Sequence, residues 1–206
     1  MMQPPNPGTR DNYLTGIVAL SSTDVWVGGY SVDLAQGSGE GSTLTMHWDG
    51  RAWDVVAAPD PSRSLNIIWG MGADGTGAVW ALGDYRASDH HLHALMRRWS
   101  GRTWEMVEVN GLSLWSAQAV GGTASGPAWV VGSPATSSLA VASCTEATCD
   151  LIVPPTDFDV TASSIFVAAA DDAWIVGVEW GRHSMPLVEH WDGATWARVV
   201  VPNTIE

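Results

Sequence analysis

A four-residue element, Trp-x-x-Gly, recurs once per unit at regular intervals: WVGG at Trp26, WALG at Trp80, WVVG at Trp129 and WIVG at Trp174. The intervals are 54, 49 and 45 residues. A second element follows each copy and holds two residues five positions apart. The pairs are Trp48 with Trp53, Trp99 with Trp104, Cys144 with Cys149, and Trp191 with Trp196. Of the 13 Trp, all but Trp69, Trp115 and Trp180 fall in the regularly spaced copies of these two elements. Recurrence at this period marks a tandem array, in which no unit buries its apolar face alone. In the third copy both members of the pair change together while the spacing holds, which predicts that the two side chains touch. Trp used this way is a structural device rather than a set of scattered ligand-stacking rings.

Each unit reads as four short strands. LTGIVAL (14–20) is nearly all apolar, as a strand covered on both faces should be. DVWVGGYS (24–31) follows a Ser-Ser-Thr-Asp turn. TLTMHW (43–48) alternates, with Leu44, Met46 and Trp48 on one face. Asp49-Gly50 signals a hairpin, and AWDVVAAP (52–59) returns. A two-residue Asp-Gly turn would leave Trp48 and Trp53 as diagonal neighbours. No segment has a period of 3.6, so almost no helix is expected. The predicted fold is all-β: a β-propeller of four four-stranded antiparallel blades. A lead-in of 1–13 precedes the propeller domain (14–206), with blades at about 14–61, 65–110, 112–155 and 160–203. Rings at fixed positions would fill the wedges between blades, each bringing about 150–250 Å² of burial.

The stretches TDVWVGG…LTMHWDGRAWDVV and LNIIWGMG…AVWALGD…MRRWSGRTWEMV resemble the Trp-rich propeller repeats of many bacterial proteins. These are loosely related to Kelch and Asp-box (sialidase-like) repeats. The resemblance spans all four units. Gly101 to Trp104 and Gly193 to Trp196 are similar to the second half of an Asp box, but Trp99 and Trp191 stand where the box has its Asp. The resemblance implies a fold class and leaves the activity open, because propellers host many functions.

Two architectures are compatible with four blades: a ring closed within the chain, or part of a larger ring. Closure is the expectation, and with it a monomer. An unclosed set would expose apolar end blades and self-associate. Residues 4–13, PPNPGTRDNY, look like the joint that follows a preceding blade.

The net charge is −13, and all 9 basic residues are Arg. Phosphate contacts need a basic face, so nucleic acid is excluded as a partner, and an anionic membrane surface would repel the chain. No apolar run is long enough to insert into a membrane. The chain opens with no signal-peptide pattern, and either it is cytosolic or it is a piece of something longer. Cys144 and Cys149 would face each other across a four-residue loop, as a disulfide requires. A disulfide would imply an oxidising compartment, and an extracellular or cell-surface origin is favoured over a cytoplasmic one. The alternative is two buried thiols. No second Cys pair completes a zinc site, and no cofactor is expected.

The loop DYRASDHHLH (84–93) carries Arg86, Asp89, His90, His91 and His93, and VEWGRHSMP (178–186) carries Trp180, Arg182 and His183. Both connect second and third strands, so both lie on one face. In a closed four-bladed ring they would converge across the axis. They are the speculative ligand-binding set; no metal is assigned to them. His47 and His190 share a position with Arg98 and Ser143, read as exposed strand with no chemistry. No phosphate loop, dinucleotide fingerprint or G-x-S-x-G is present, and no catalytic residue is assigned. The first functional reading is a non-catalytic module that recognises a protein or glycan through its loop face. The alternatives are a carbohydrate-active enzyme (glycoside hydrolase or lyase) with axial carboxylates, and a truncated repeat array without separate activity.

Overall fold

A computed structural model describes residues 4–33, 40–108, 114–123, 126–134, 139–145, 149–152 and 159–202. The first blade comprises β1 (Asp11–Ser21), β2 (Asp24–Val32), β3 (Ser42–Trp48) and β4 (Trp53–Val55). The second comprises β5 (Asn66–Ala73), β6 (Val79–Arg86), β7 (Leu92–Trp99) and β8 (Trp104–Met106). The third holds β9 (Leu114–Gly122), β10 (Ala128–Pro134), β11 (Ala140–Cys144) and β12 (Cys149–Ile152). The fourth holds β13 (Val160–Ala169), β14 (Asp172–Glu179), β15 (Met185–Trp191) and β16 (Trp196–Arg198). Each blade is an antiparallel meander with its strands in chain order. The fold class is the expected one, four propeller blades. β1 begins at Asp11, so Asp11, Asn12 and Tyr13 belong to the sheet rather than to the lead-in.

The paired residues sit directly opposite one another across the outer hairpin: Trp48 and Trp53, Trp99 and Trp104, Cys144 and Cys149, Trp191 and Trp196. The three Trp pairs have ring centroids 5.7, 5.5 and 5.8 Å apart. Cys144 and Cys149 form a disulfide. The two-residue Asp-Gly turn is not what forms: the loop spans Asp49 to Ala52, closed by the Asp49 N–H to the Ala52 carbonyl. The Asp49 side chain accepts from the Arg51 and Ala52 amides, while Gly50 takes a positive φ of 90°. The longer loop is what brings the Trp pair square across the ladder.

In the first three blades the Trp of the Trp-x-x-Gly element fills the wedge to the following blade. Trp26 packs on Trp99 and Trp104, with centroids 4.8 and 5.5 Å away. Trp80 is fully buried in one cluster with Cys144 and Cys149. Trp129 meets Trp191 and Trp196 at 5.8 and 6.1 Å. The Gly three positions on has a steric cause. A Cβ on Gly29, Gly83, Gly132 or Gly177 would collide with the carbonyl oxygen of Tyr13, Ile67, Ser116 or Thr161 on the inner strand. Beside each of these glycines the inner strand bulges, and the bulged residues are Thr15, Trp69, Gln118 and Ser163.

The blades pack in series through β1 on β5, β5 on β9, and β9 on β13. Among the described residues no comparable packing joins the fourth blade to the first. Ile17 on β1 and Phe166 on β13 are accordingly 68% and 66% exposed. Closure within the chain, the expected form, is therefore not adopted; the four blades form an open arc. β5 lies against β1, β2 and β3, and β9 against β5, β6 and β7.

Removing a joint ring should unfasten two blades at once. Trp80→Ala is expected to cost about 3–5 kcal/mol in urea unfolding. Phe166→Ser, on the open face, should stay within about 0.5 kcal/mol in dilute protein. Equal losses for the two would show that the wedge positions are not what holds the blades.

Candidate functional site

Of the residues marked in advance, the β6–β7 loop forms a tight local turn. The His90 amide donates to the Ala87 carbonyl and the Ala87 amide to that of His91, with His90 at a positive φ of 66°. Asp89 accepts from the His91 amide, and His93 Nε2 lies 2.9 Å from its other oxygen. Those two partners, the amide first, hold the Asp89 carboxyl below its ordinary pKa. The His93 ring lies 5.6 Å from Tyr85. The Arg86 amide donates to the Leu65 carbonyl, which ties the loop to the preceding joint. On the fourth blade Trp180 is 51% exposed, with its Nε1 donating to Thr161 Oγ1. Arg182 and His183 are exposed beside it. No hydrogen bond, ion pair or ring contact joins the two loops among the described residues; the arc keeps the second and fourth blades apart. Among the described residues, no group of three or more His, Cys, Asp and Glu is poised to hold a metal ion.

A second constellation lies at the same end of the blades, on the inner strands. Tyr13 and Tyr30 face each other across β1 and β2 and stack at 4.7 Å. Trp69, from β5 of the next blade, meets Tyr30 edge-on at 6.3 Å. Trp69 is a bulged residue, and bulges re-aim side chains. Its indole stays 41% exposed while its Nε1 donates to Asp84 Oδ2 at 2.6 Å. Asp84 is 6% exposed, and its Oδ1 has no well-formed hydrogen bond. Burial pushes the Asp84 carboxyl above its ordinary pKa of 3.8, against the pull of Trp69, Ser116 and the Ala117 amide. Three rings therefore cluster across the first joint, with the Asp84 carboxyl buried beneath Trp69 and fixing its indole. Tyr13 and Tyr30 carried no suggestive context in the sequence, because their partner Trp69 comes from another blade. The one available signal was that Trp69 falls outside the regularly spaced copies of the two elements.

The His position read as featureless has a role. In the first blade Asp24 Oδ1 accepts Trp26 Nε1 at 3.0 Å and lies 2.8 Å from His47 Nε2, while His47 stacks on Trp26 at 4.4 Å. In the fourth, Asp172 does the same for Trp174 and His190, both at 2.9 Å. In the second, Asp74 Oδ2 takes Trp80 Nε1 at 2.9 Å and Arg98 Nε at 3.4 Å. Burial raises the Asp74 pKa, but the donors Thr76, Trp80 and Ala78 outweigh it and hold the carboxyl below its ordinary value. These acids orient the wedge Trp and are structural.

No family model matches the chain, and no curated protein is a significant match. The Kelch and Asp-box likeness thus has no family match behind it. Among solved structures, a protein of unknown function from Dyadobacter fermentans is similar, at 13% identity and a TM-score of 0.62, over 91% of this chain and 64% of that one. A variant of Aleuria aurantia lectin, solved in complex with Fucα1-6GlcNAc, is similar at 10% identity and a TM-score of 0.55, over 88% and 58%. A fucose lectin from Kordia zhangzhouensis aligns at 13% identity with a TM-score of 0.35. The chain spans less than two thirds of the length of the first two. At these identities the likeness is one of fold.

The raised Asp84 pKa has a signed consequence. Its contribution to stability is fully present below the ordinary value of 3.8 and is lost as pH rises through the higher folded-state value. Asp84→Asn keeps an acceptor for Trp69 and removes the charge. Urea midpoints from about pH 3 to about pH 8 should show the variant gaining on the wild type as pH rises, then a plateau. A difference that does not vary with pH would show an unshifted carboxyl.

Proposed function

We propose that this chain is a non-catalytic propeller module that binds a carbohydrate at the surface made by Tyr13, Tyr30, Trp69 and Asp84. The observation that carries this reading is the exposed Trp69 ring, held in place by the buried carboxylate of Asp84 and set beside Tyr30 and Tyr13. A pyranose offers an apolar C–H face to an aromatic ring, and the cluster presents the exposed rings of Trp69 and Tyr13 in one place. Arg86 lies two residues further along the same face of β6, a donor at the rim. The similarity to a propeller solved with a fucosylated disaccharide supports the class of ligand. The Cys144–Cys149 disulfide supports an extracellular or secreted setting. A hydrolase or lyase is less well supported. It would need two carboxylates about 5–10 Å apart across one bond, and the groups acting on Asp84 are Trp69, Ser116 and Ala117.

A glycan array followed by calorimetric titration with L-fucose and Fucα1-6GlcNAc tests the proposal. Binding should be lost in Trp69→Ala, which leaves the fold intact because that ring is not in a wedge, and kept in His183→Ala. Retention of binding by Trp69→Ala, or no response to any glycan, would overturn the reading.

A further inference from the structure

The arc has two ends, and each carries half of a joint that the interior completes three times. At the trailing end, Trp174 is oriented by Asp172 and stacked on His190 at 4.1 Å, as Trp26 is by Asp24 and His47. Trp26, Trp80 and Trp129 are 4%, 0% and 5% exposed, but Trp174 is only half-buried, for no following hairpin covers it. At the leading end, the Trp48–Trp53 hairpin is formed, yet among the described residues no Trp of another blade enters it. Trp104, Cys149 and Trp196, the equivalents of Trp53, are buried; Trp53 is half-buried. The inner strands agree. Phe166 lies opposite Trp174 and Ile17 opposite Val27, so each looks outward from its end of the arc. They are the two most exposed large apolar residues after Val200.

We infer that a second copy of this chain docks head to tail on these faces, with Trp174 of one copy entering the Trp48–Trp53 hairpin of the next and Phe166 packing on Ile17. The occupant follows from complementarity. The face that lacks a hairpin and the face that lacks a Trp belong to the same chain, so a copy supplies what each needs. The docked joint differs from the interior ones in one respect. Phe166 stands where Val18, Gly72 and Gly121 stand, opposite their wedge Trp. A Cβ on Gly121 would already lie 3.1 Å from the Ile165 carbonyl oxygen. The inner strands at the docked joint therefore sit further apart. Such a contact is heterologous: it closes a ring of two copies if the rotation allows and otherwise extends as an open chain.

Sedimentation of the full chain at physiological salt, from low to high micromolar, tests this. The wild type should run above monomer mass, with Trp174→Ala and Trp53→Ala each monomeric. Mixed in equal amounts, the two variants should form a dimer, because each retains the half that the other has lost. Phe166→Ser and Ile17→Ser give a second pair at positions too exposed to matter for folding, and should complement in the same way. A monomeric wild type would overturn the inference. Single variants that associate like the wild type, or a mixture that stays monomeric, would overturn it as well.

Discussion

The structure depends on one contact: an indole from the second strand of a blade set into the outer hairpin of the next. Each such ring removes about 150–250 Å² from water, worth on the order of 5 kcal/mol in gross burial. A four-stranded sheet cannot bury both of its faces, so without this contact each blade would be an isolated, marginal meander. The indole must also be aimed. Its N–H is the one polar group on an otherwise apolar wedge, and an Asp at the edge of the sheet accepts it in the first, second and fourth blades. The same Asp meets a His or Arg that covers the outer side of the ring. Acid, indole and the His or Arg thus form one unit, and in the first, second and fourth blades that unit recurs.

The third blade shows how far the joint can vary. Its hairpin presents a disulfide in place of two rings, and Ala117, Ala128, Ala140 and Ala142 line the same cluster. Small residues let this blade close down on Trp80, which is completely buried. The cost falls on the other side of the blade. In the first joint the Trp104 N–H reaches back to Thr45 Oγ1. Val141 holds the corresponding place in the third blade, and Trp196 Nε1 is left buried without a partner among the described residues. Glu189 is buried in the same interface, its carboxyl pushed above the ordinary pKa by that burial.

Much of this was legible in the sequence, and the reason is spacing. Wedge Trp, close-approach Gly and hairpin pair recur at set intervals because each blade repeats the same local geometry. The touching of paired residues followed from Cys144 and Cys149 replacing two Trp together. The Asp–Trp–His unit was harder to see. His47 is adjacent to Trp26 only through strand pairing, and its substitution by Arg98 or Ser143 hid a shared task behind varied chemistry. Whether the arc closes depends on the angle at each joint, which the packing of whole faces sets and no short motif encodes. The Tyr13–Tyr30–Trp69 surface was invisible for a related reason. It joins two blades at positions that do not repeat.

That last difference bears on where recognition can reside in such a fold. Positions that build the joints cannot vary freely, since each must satisfy a neighbour. The bulged position of the inner strand is filled by a different residue type in every blade: Thr15, Trp69, Gln118 and Ser163. Thr15 closes on the Ile68 carbonyl of the next blade, which leaves no group free for a ligand. Gln118 is half-buried, and Ser163 offers a single hydroxyl. Trp69 alone combines an exposed ring with a fixed N–H, and it does so beside Asp84. The array therefore repeats a scaffold four times and an exposed, hydrogen-bonded indole at the bulge once, at the first joint, where the side chain alone makes the difference.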